Sequence, residues 1–556
     1  MPLPTRPWQL VSAWFSPGFD ASSTPPFEIS NKNFAAIVDC QNGRTNSHKQ
    51  EILILRQQSP NKMAQLFLVG AKRFTVAGEI IKQKNSPQFQ RRLSATRTTS
   101  VSGEILAGQP NTLVRTIGRW SLTALVINSI IGSGVFGLPS VVSSQLGRMA
   151  PVAYFIAGAG MAVIAGCLSE VASQFRATGG PYLYARETLG RFWGIQIAWM
   201  TWLSRIAAAS GTANLFTTYL GQILPRATQP LYRLAILTVL VGVLAVANYV
   251  GVKSGARVSD FFTATKLLLL AIFIAAGLWW LRIHGAVPPT PLPHPVEAKN
   301  WLEAVLVLVY AYGGFEAVLL ATGEMRDPRR DVPVALMIGI ATVAVIYTLV
   351  QVVVTASLAD PAATQRPIAD SAGRILGPGA AAAIAVGVLL SIYGYLSANM
   401  LHTPRLTFAL AERGDFPKIF ARIHKRFHTP YISILLYTTL LLAFTLVGNF
   451  RWNITLSAIV RLFTYSSVAI ALLVLRKRTP DANAFRLPAG KALAIVAILF
   501  CVVLLARTPL SNSTAVLITA ALAAANWVAV RHTPPPNQTD LEVVLHQINR
   551  RADNDV

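Results

Sequence analysis

From about residue 119 the chain is written in apolar runs of roughly 20 residues, each closed by a short polar or basic stretch. At about 1.5 Å per residue, such a run crosses the ~30 Å hydrocarbon of a bilayer as one helix. Repetition of this pattern to the end of the chain leaves room for one kind of fold, a bundle of membrane-spanning helices. Composition agrees. Of 556 residues, 53% are hydrophobic and 13% charged, with a mean hydropathy of +0.47, where a soluble chain carries about 25% charged residues. The chain is therefore read as an all-α polytopic membrane protein.

Twelve runs qualify as spans, at about 119–143, 150–173, 192–222, 231–251, 257–282, 300–322, 333–358, 379–402, 431–449, 452–475, 491–508 and 512–531. Lys and Arg collect on the cytoplasmic side of such proteins. One set of loops holds Arg176, Arg186, Arg191, Lys253, Arg257, Arg326, Arg329, Arg330, the stretch Arg405 to Arg426, and Arg476 to Arg478. The opposite loops are sparse in cations. With an even number of spans, both termini fall in the cytoplasm of a cell-membrane protein.

The net charge of +25 does not indicate nucleic acid, because most cations sit in these short loops. Cys40, Cys167 and Cys501 lie far apart and offer no metal-ligand spacing. No cofactor is expected, and the sequence names no protein partner. Residues 1–110 are polar and basic, with no apolar run of spanning length and no signal peptide. They read as a disordered cytoplasmic extension, or as sequence upstream of a true start at Met63 or later. Residues 534–556 read as a cytoplasmic tail.

The first span carries NSIIGSGVFGLPS, Asn128 to Ser140, with Gly132, Gly134, Gly137 and Pro139 crowded together. Glycine costs a helix about 1 kcal/mol and proline about 3 relative to alanine. Irregular backbone at membrane depth must be buried in protein or line a cavity. The sixth span repeats the pattern in LVYAYGGFEAV, with Gly313 and Gly314 adjacent. Breaks five spans apart suggest a five-plus-five inverted repeat, at about 116–283 and 300–478 within a core of 111–478, followed by two further helices in 479–533. A half-helix beginning near Ser133 and Gly134 points free N–H groups and a positive dipole end at the break, which suits a carboxylate. Half-helices that end there offer carbonyls, which suit an ammonium. Together these groups fit the two charged ends of an amino acid, and glycine lets a ligand approach the backbone.

These motifs resemble those of the amino acid–polyamine–organocation superfamily of transporters. IIGSGVF, TGGPYLYARETLG (Thr178–Gly190), AYGGFEAV with GEMRDPRRDVP (Gly323–Pro333), and PRLTFALAERGDFP (Pro404–Pro417) occur in the family's order, over roughly 115–480. The resemblance implies the inverted-repeat fold with broken helices 1 and 6, and alternating-access transport. It implies that backbone at Gly132, Ser133 and Gly134 holds a substrate carboxylate, and that Ile130, Tyr310, Ala311 and Gly313 face the amine. Tyr310 and Phe315 are both candidates for the gating aromatic that the family carries in helix 6.

Lys266 lies nine residues past Arg257, about 14 Å into the membrane. A membrane-embedded lysine is a functional position by default. The resemblance implies that it stands in for a sodium ion between helices 1 and 8, which argues against sodium coupling and leaves protons or exchange. Glu316 could sense protons, as a glutamate does in the family's acid-resistance exchangers, contact a cationic side chain, or stabilise the broken helix. Arg205 and Arg461 also fall within spans, and one of them could pair with Glu316. The charges from Glu324 to Asp331 read as a topology signal or as a gate latch.

No phosphate-binding loop, metal cluster or nucleophile elbow points to an enzyme. The expected function is secondary transport of amino acids, with neutral side chains favoured by an apolar pocket. Cationic amino acids or polyamines remain open through Glu316, as does a non-transporting amino acid sensor on the same fold.

Overall fold

The computed structural model describes residues 118–175, 179–251, 256–325, 327–478 and 484–532. The expected N-terminal extension, the tail, Cys40, Arg176, Lys253 and Arg326 lie outside the described residues. Those residues form helices and no strand.

The first expected span is two helices, α1 (Arg119–Ile130) and α2 (Gly134–Leu146), separated by three non-helical residues. There follow α3 (Ala150–Gln174), a short α4 (Gly180–Leu189), α5 (Arg191–Leu220), α6 (Pro230–Val250) and α7 (Ala256–His284). The sixth span is α8 (Ala298–Tyr312), which does not resume as an α-helix but continues as a 3-10 segment, Phe315–Glu324. Then come α9 (Pro328–Ser357), α10 (Pro367–Leu376), α11 (Pro378–Glu412), α12 (Tyr431–Val447), α13 (Phe450–Leu475), α14 (Gly490–Leu505) and α15 (Leu510–Val530). A helical element thus stands at each expected run. By length and apolarity alone, 8 segments among the described residues are able to cross a membrane, and α12 and α14 are shorter apolar helices.

Local chemistry accounts for the boundaries. Pro230, Pro328, Pro367 and Pro378 open their helices, where the fixed φ helps and the missing N–H costs nothing. The side chain of Asn449 caps α13 by accepting the N–H of Trp452 at 2.8 Å. Before α8, the N–H of Glu297 donates to Oδ1 of Asn300 at 3.0 Å, which completes a capping box.

Packing sorts the helices into inner and outer. α8 and α13 are mostly buried, whereas α6 and α7 expose most of their apolar surface. On α6, Val239, Val243 and Val246 are exposed at helical spacing, a stripe suited to acyl chains and ill suited to water. α9 lies along α3 and α1, α5 along α13 and α11, and α8 touches α2, α3 and α13. α3 and α9, the second crossings of the two expected halves, therefore pack directly on each other.

Candidate functional site

The break between α1 and α2 exists because the helix stops at Ile130 and a new one starts at Gly134. Ile131 is extended, with φ −71° and ψ 90°, and its N–H still bonds Ile127 O at 3.0 Å. In α2, Phe136 and Gly137 both donate to the Ser133 carbonyl, at 3.1 and 3.2 Å. Among the described residues, the N–H groups of Gly134 and Val135 find no backbone acceptor, as helix geometry requires of a first turn. These are the donors expected to meet a carboxylate.

The glycines have more than one reason. A Cβ on Gly134 would lie 2.9 Å from Ala311 Cα, and one on Gly137 2.5 Å from the Phe450 ring. At those two positions glycine lets α2 sit against α8 and lets Phe450 close over it. Gly132 alone has room, with Tyr395 the nearest neighbour at 3.7 Å. It is the glycine best matched to close approach of a ligand.

Hydroxyl groups tie the break to its neighbours. Ser133 Oγ lies 2.6 Å from the Tyr310 hydroxyl and 2.7 Å from Thr212 Oγ1. Thr212 spends its own proton on Ala208 O at 2.8 Å. The Tyr310 hydroxyl also lies 3.2 Å from Thr212 Oγ1, so the three hydroxyls form a cluster that joins α8, the first break and α5.

The carbonyl ends of the break are occupied in order. Lys266 Nζ, buried on α7, donates to Asn128 O at 2.8 Å and Ile131 O at 2.7 Å. A cation belongs there, since the last carbonyls of α1 carry its negative dipole end. These bonds reach α1, and no bond from Lys266 to α11 is recorded among the described residues, although a link to helix 8 was expected. The Tyr347 hydroxyl, from α9, lies 3.1 Å from Ile130 O and 3.4 Å from Ala311 O. The two carbonyls expected to face an amine are thus gathered on one hydroxyl.

At the second break, Gly313 ends α8 and Gly314 takes φ +117°, a conformation that favours glycine. A Cβ on Gly313 would fall 1.8 Å from Arg461 Nη1, and one on Gly314 2.3 Å from Ser129 O. Glu316 is fully engaged. It accepts from Gly314 N–H at 2.9 Å, Arg461 Nη1 at 2.8 Å and the Tyr465 hydroxyl at 3.2 Å. Arg461 is therefore the partner of Glu316, and Arg205 is not. Phe315 is fully enclosed and stacks on Tyr465 with centroids 5.6 Å apart; Tyr310 is the aromatic whose polar tip reaches the first break.

Ion pairs cluster at one end of the bundle, around α4. Asp415 is buried between Arg186 at 3.0 Å and Arg191 at 2.8 Å, and also accepts from the Tyr182 hydroxyl. Burial, and then the neighbouring Asp415 carboxylate, pushes the Tyr182 phenol up to about 12. Arg119 meets Asp331 at 3.0 Å, and Arg476 meets Glu170 at 2.7 Å. Of the loop charges, Asp331 therefore joins α9 to α1, while Arg330 and Asp327 form a long exposed pair at 3.8 Å. At the opposite end lies a cavity of about 470 Å³, lined by Gly137, Ser140, Asn214, Arg233, Phe450 and Arg451 among others.

Thr212, Tyr347 and Tyr395 escaped the sequence reading. Each lies within a continuous helix, where a lone hydroxyl gives no local signal.

The family model described as amino acid permease matches residues 117–530. The serine/threonine exchanger SteT of Bacillus subtilis is 30% identical over 401 residues, 70% of this chain and 90% of that protein. The branched-chain amino acid permease BcaP of the same organism is 26% identical, over 71% of this chain and 88% of its own. The mouse cationic amino acid transporter 4 is 26% identical, over 67% of this chain and 61% of its own. With its two broken helices and this span of similarity, the chain belongs to the amino acid permease family of the amino acid–polyamine–organocation superfamily.

Proposed function

We propose that this permease is a secondary active carrier of the cytoplasmic membrane, with both termini inside, and that it binds its substrate at the paired breaks. The observation that carries the reading is the meeting of opposite backbone ends. Free N–H groups of Gly134 and Val135 begin α2, while the carbonyls of Ile130 and Ala311 converge on Tyr347. A zwitterion presents a carboxylate to the first set and an ammonium to the second. In this reading Gly132, Ser133 and Gly134 hold the carboxylate, and Ile130, Tyr310, Ala311 and Gly313 border the amine. Tyr310 serves as the gate, because its hydroxyl already bridges the two broken helices, whereas Phe315 is enclosed.

Lys266 supplies the cation that α1 needs at its carbonyl end, which supports a sodium-independent cycle, driven by protons or by exchange. The engagement of Glu316 by three donors leaves it poorly placed to receive a cationic side chain. Its role in this reading is to hold the second break, and the cationic and polyamine alternatives lose their main support. The ion pairs around α4 form the closed gate of this state, with the cavity at the other end as the substrate's approach. The chain has no catalytic role in this reading.

The test is uptake or counterflow of labelled amino acids by the purified full chain in proteoliposomes. Accumulation or exchange is expected, and saturable binding with neither would establish a sensor instead. Lys266→Ala is expected to weaken transport and flatten its dependence on pH between 5 and 8, with insertion intact; an unaltered profile would remove Lys266 from coupling.

A further inference from the structure

Around the two breaks the charges do not balance. Among the described residues, three cations, Lys266, Arg205 and Arg461, stand against Glu316 as the carboxylate in their midst. The other buried carboxylates, Glu170, Asp331 and Asp415, are committed to arginines at the α4 end. Lys266 is satisfied by two carbonyls, and Arg461 spends one nitrogen on Glu316. Arg461 nonetheless keeps a buried Nε with no partner, although the residue is only 7% exposed.

Arg205 is the larger anomaly. It sits about 21 Å along the 30-residue helix α5, at mid-membrane depth. Thr212, which bonds Ser133 at the break, is two turns further along the same face. Arg205 makes no hydrogen bond or ion pair with any described residue. The groups that act on it electrostatically are Glu316, Arg461, Tyr395 and Tyr437, with His402 and Arg405 beyond it on α11. Tyr395 is the residue that also faces Gly132. Arg205 is only partly covered in the fold. A lone guanidinium at this depth is expensive unless something matches its charge and its planar fork of donors.

We propose that Arg205, with the spare Nε of Arg461 beside it, forms a side-chain subsite for a second carboxylate, so that the preferred substrate is a dicarboxylic amino acid of the aspartate or glutamate kind. This rests on the reading that the breaks hold the α-carboxylate and amine, and it names what that reading leaves open. A substrate of net charge −1 offsets part of the excess positive charge around the breaks. A neutral amino acid leaves Arg205 unpaired, and a cationic one adds to the imbalance. The cation Arg233, which lines the opposite cavity, favours approach of an anion as well.

The experiment compares each acid with its amide isostere. Proteoliposomes of the full chain are given labelled L-aspartate and L-glutamate, and in parallel labelled L-asparagine and L-glutamine. The wild type is expected to prefer the acids by about tenfold or more in kcat/KM, the scale of one charge-assisted hydrogen-bonding interaction. Arg205→Gln is expected to collapse that ratio, and Arg205→Lys to retain part of it, because a cation remains. Preference for the amides, or a ratio that Arg205→Gln leaves unchanged, overturns the subsite while leaving amino acid transport intact. Failure to transport or exchange any of the four, or L-serine and L-leucine, overturns the transport reading and the subsite with it. The wild-type comparison alone is decisive should either variant fail to insert.

Discussion

A methyl group at Gly313 would lie 1.8 Å from Arg461 Nη1 and displace the guanidinium from Glu316. Gly313→Ala should therefore cost about 1–3 kcal/mol through overpacking, read as a lower Tm for purified protein in detergent. Gly132→Ala makes the contrasting case. Its Cβ meets nothing nearer than 3.7 Å, so the Tm should hold while KM for the amino acid rises. Equal loss of Tm in both variants would refute the distinction between a packing glycine and a pocket glycine. Tyr347→Phe should leave Ile130 O and Ala311 O without their shared donor, at a cost of about 1–2 kcal/mol. The glycines and Lys266 were legible as special residues because breakers and buried charges stand out locally. What each glycine accommodates was not, since Phe450 and Arg461 lie far along the chain.

At the scale of the element, the 3-10 segment Phe315–Glu324 follows Gly314 and is anchored at its start by Glu316. Glu316→Gln removes the charge opposite Arg461, which is buried. Breaking one side of such a pair costs about 3–5 kcal/mol. Glu316→Gln combined with Arg461→Gln should recover a good part of that loss, because no lone charge remains. Thermal unfolding of the two single variants and the double variant checks this, and strict additivity would show that the pair is not coupled. The positions of α1, α8 and the long helices were readable from apolar periodicity and from Gly and Pro. That the sixth span resumes with i→i+3 bonds was not, since the apolar run of residues 317–321 suits either helix type. The choice of Arg461 over Arg205 as partner depended on how α13 packs against α8, which no local pattern encodes.

The whole molecule is fastened at its α4 end through Asp415. That carboxylate joins α4 and α5 to the segment after α11, and its backbone carbonyl accepts from Asn526 of α15 at 2.7 Å. Asp415→Asn should loosen the entire end, visible as faster hydrogen–deuterium exchange across Gly180–Leu189; unchanged protection would show that the ion pairs are not the fastening. The Tyr182 phenol is raised from its ordinary 10 to about 12, so the stability it contributes is complete below pH 10 and is lost only as pH climbs toward 12. In the proposed cycle the cation at the end of α1 is Lys266, and an ion carried on a side chain has no bulk concentration. It is never diluted or depleted and never crosses the bilayer, so it can do no osmotic work. In that proposed cycle the driving force comes from what the carrier exchanges or from protons, with no call on a sodium gradient.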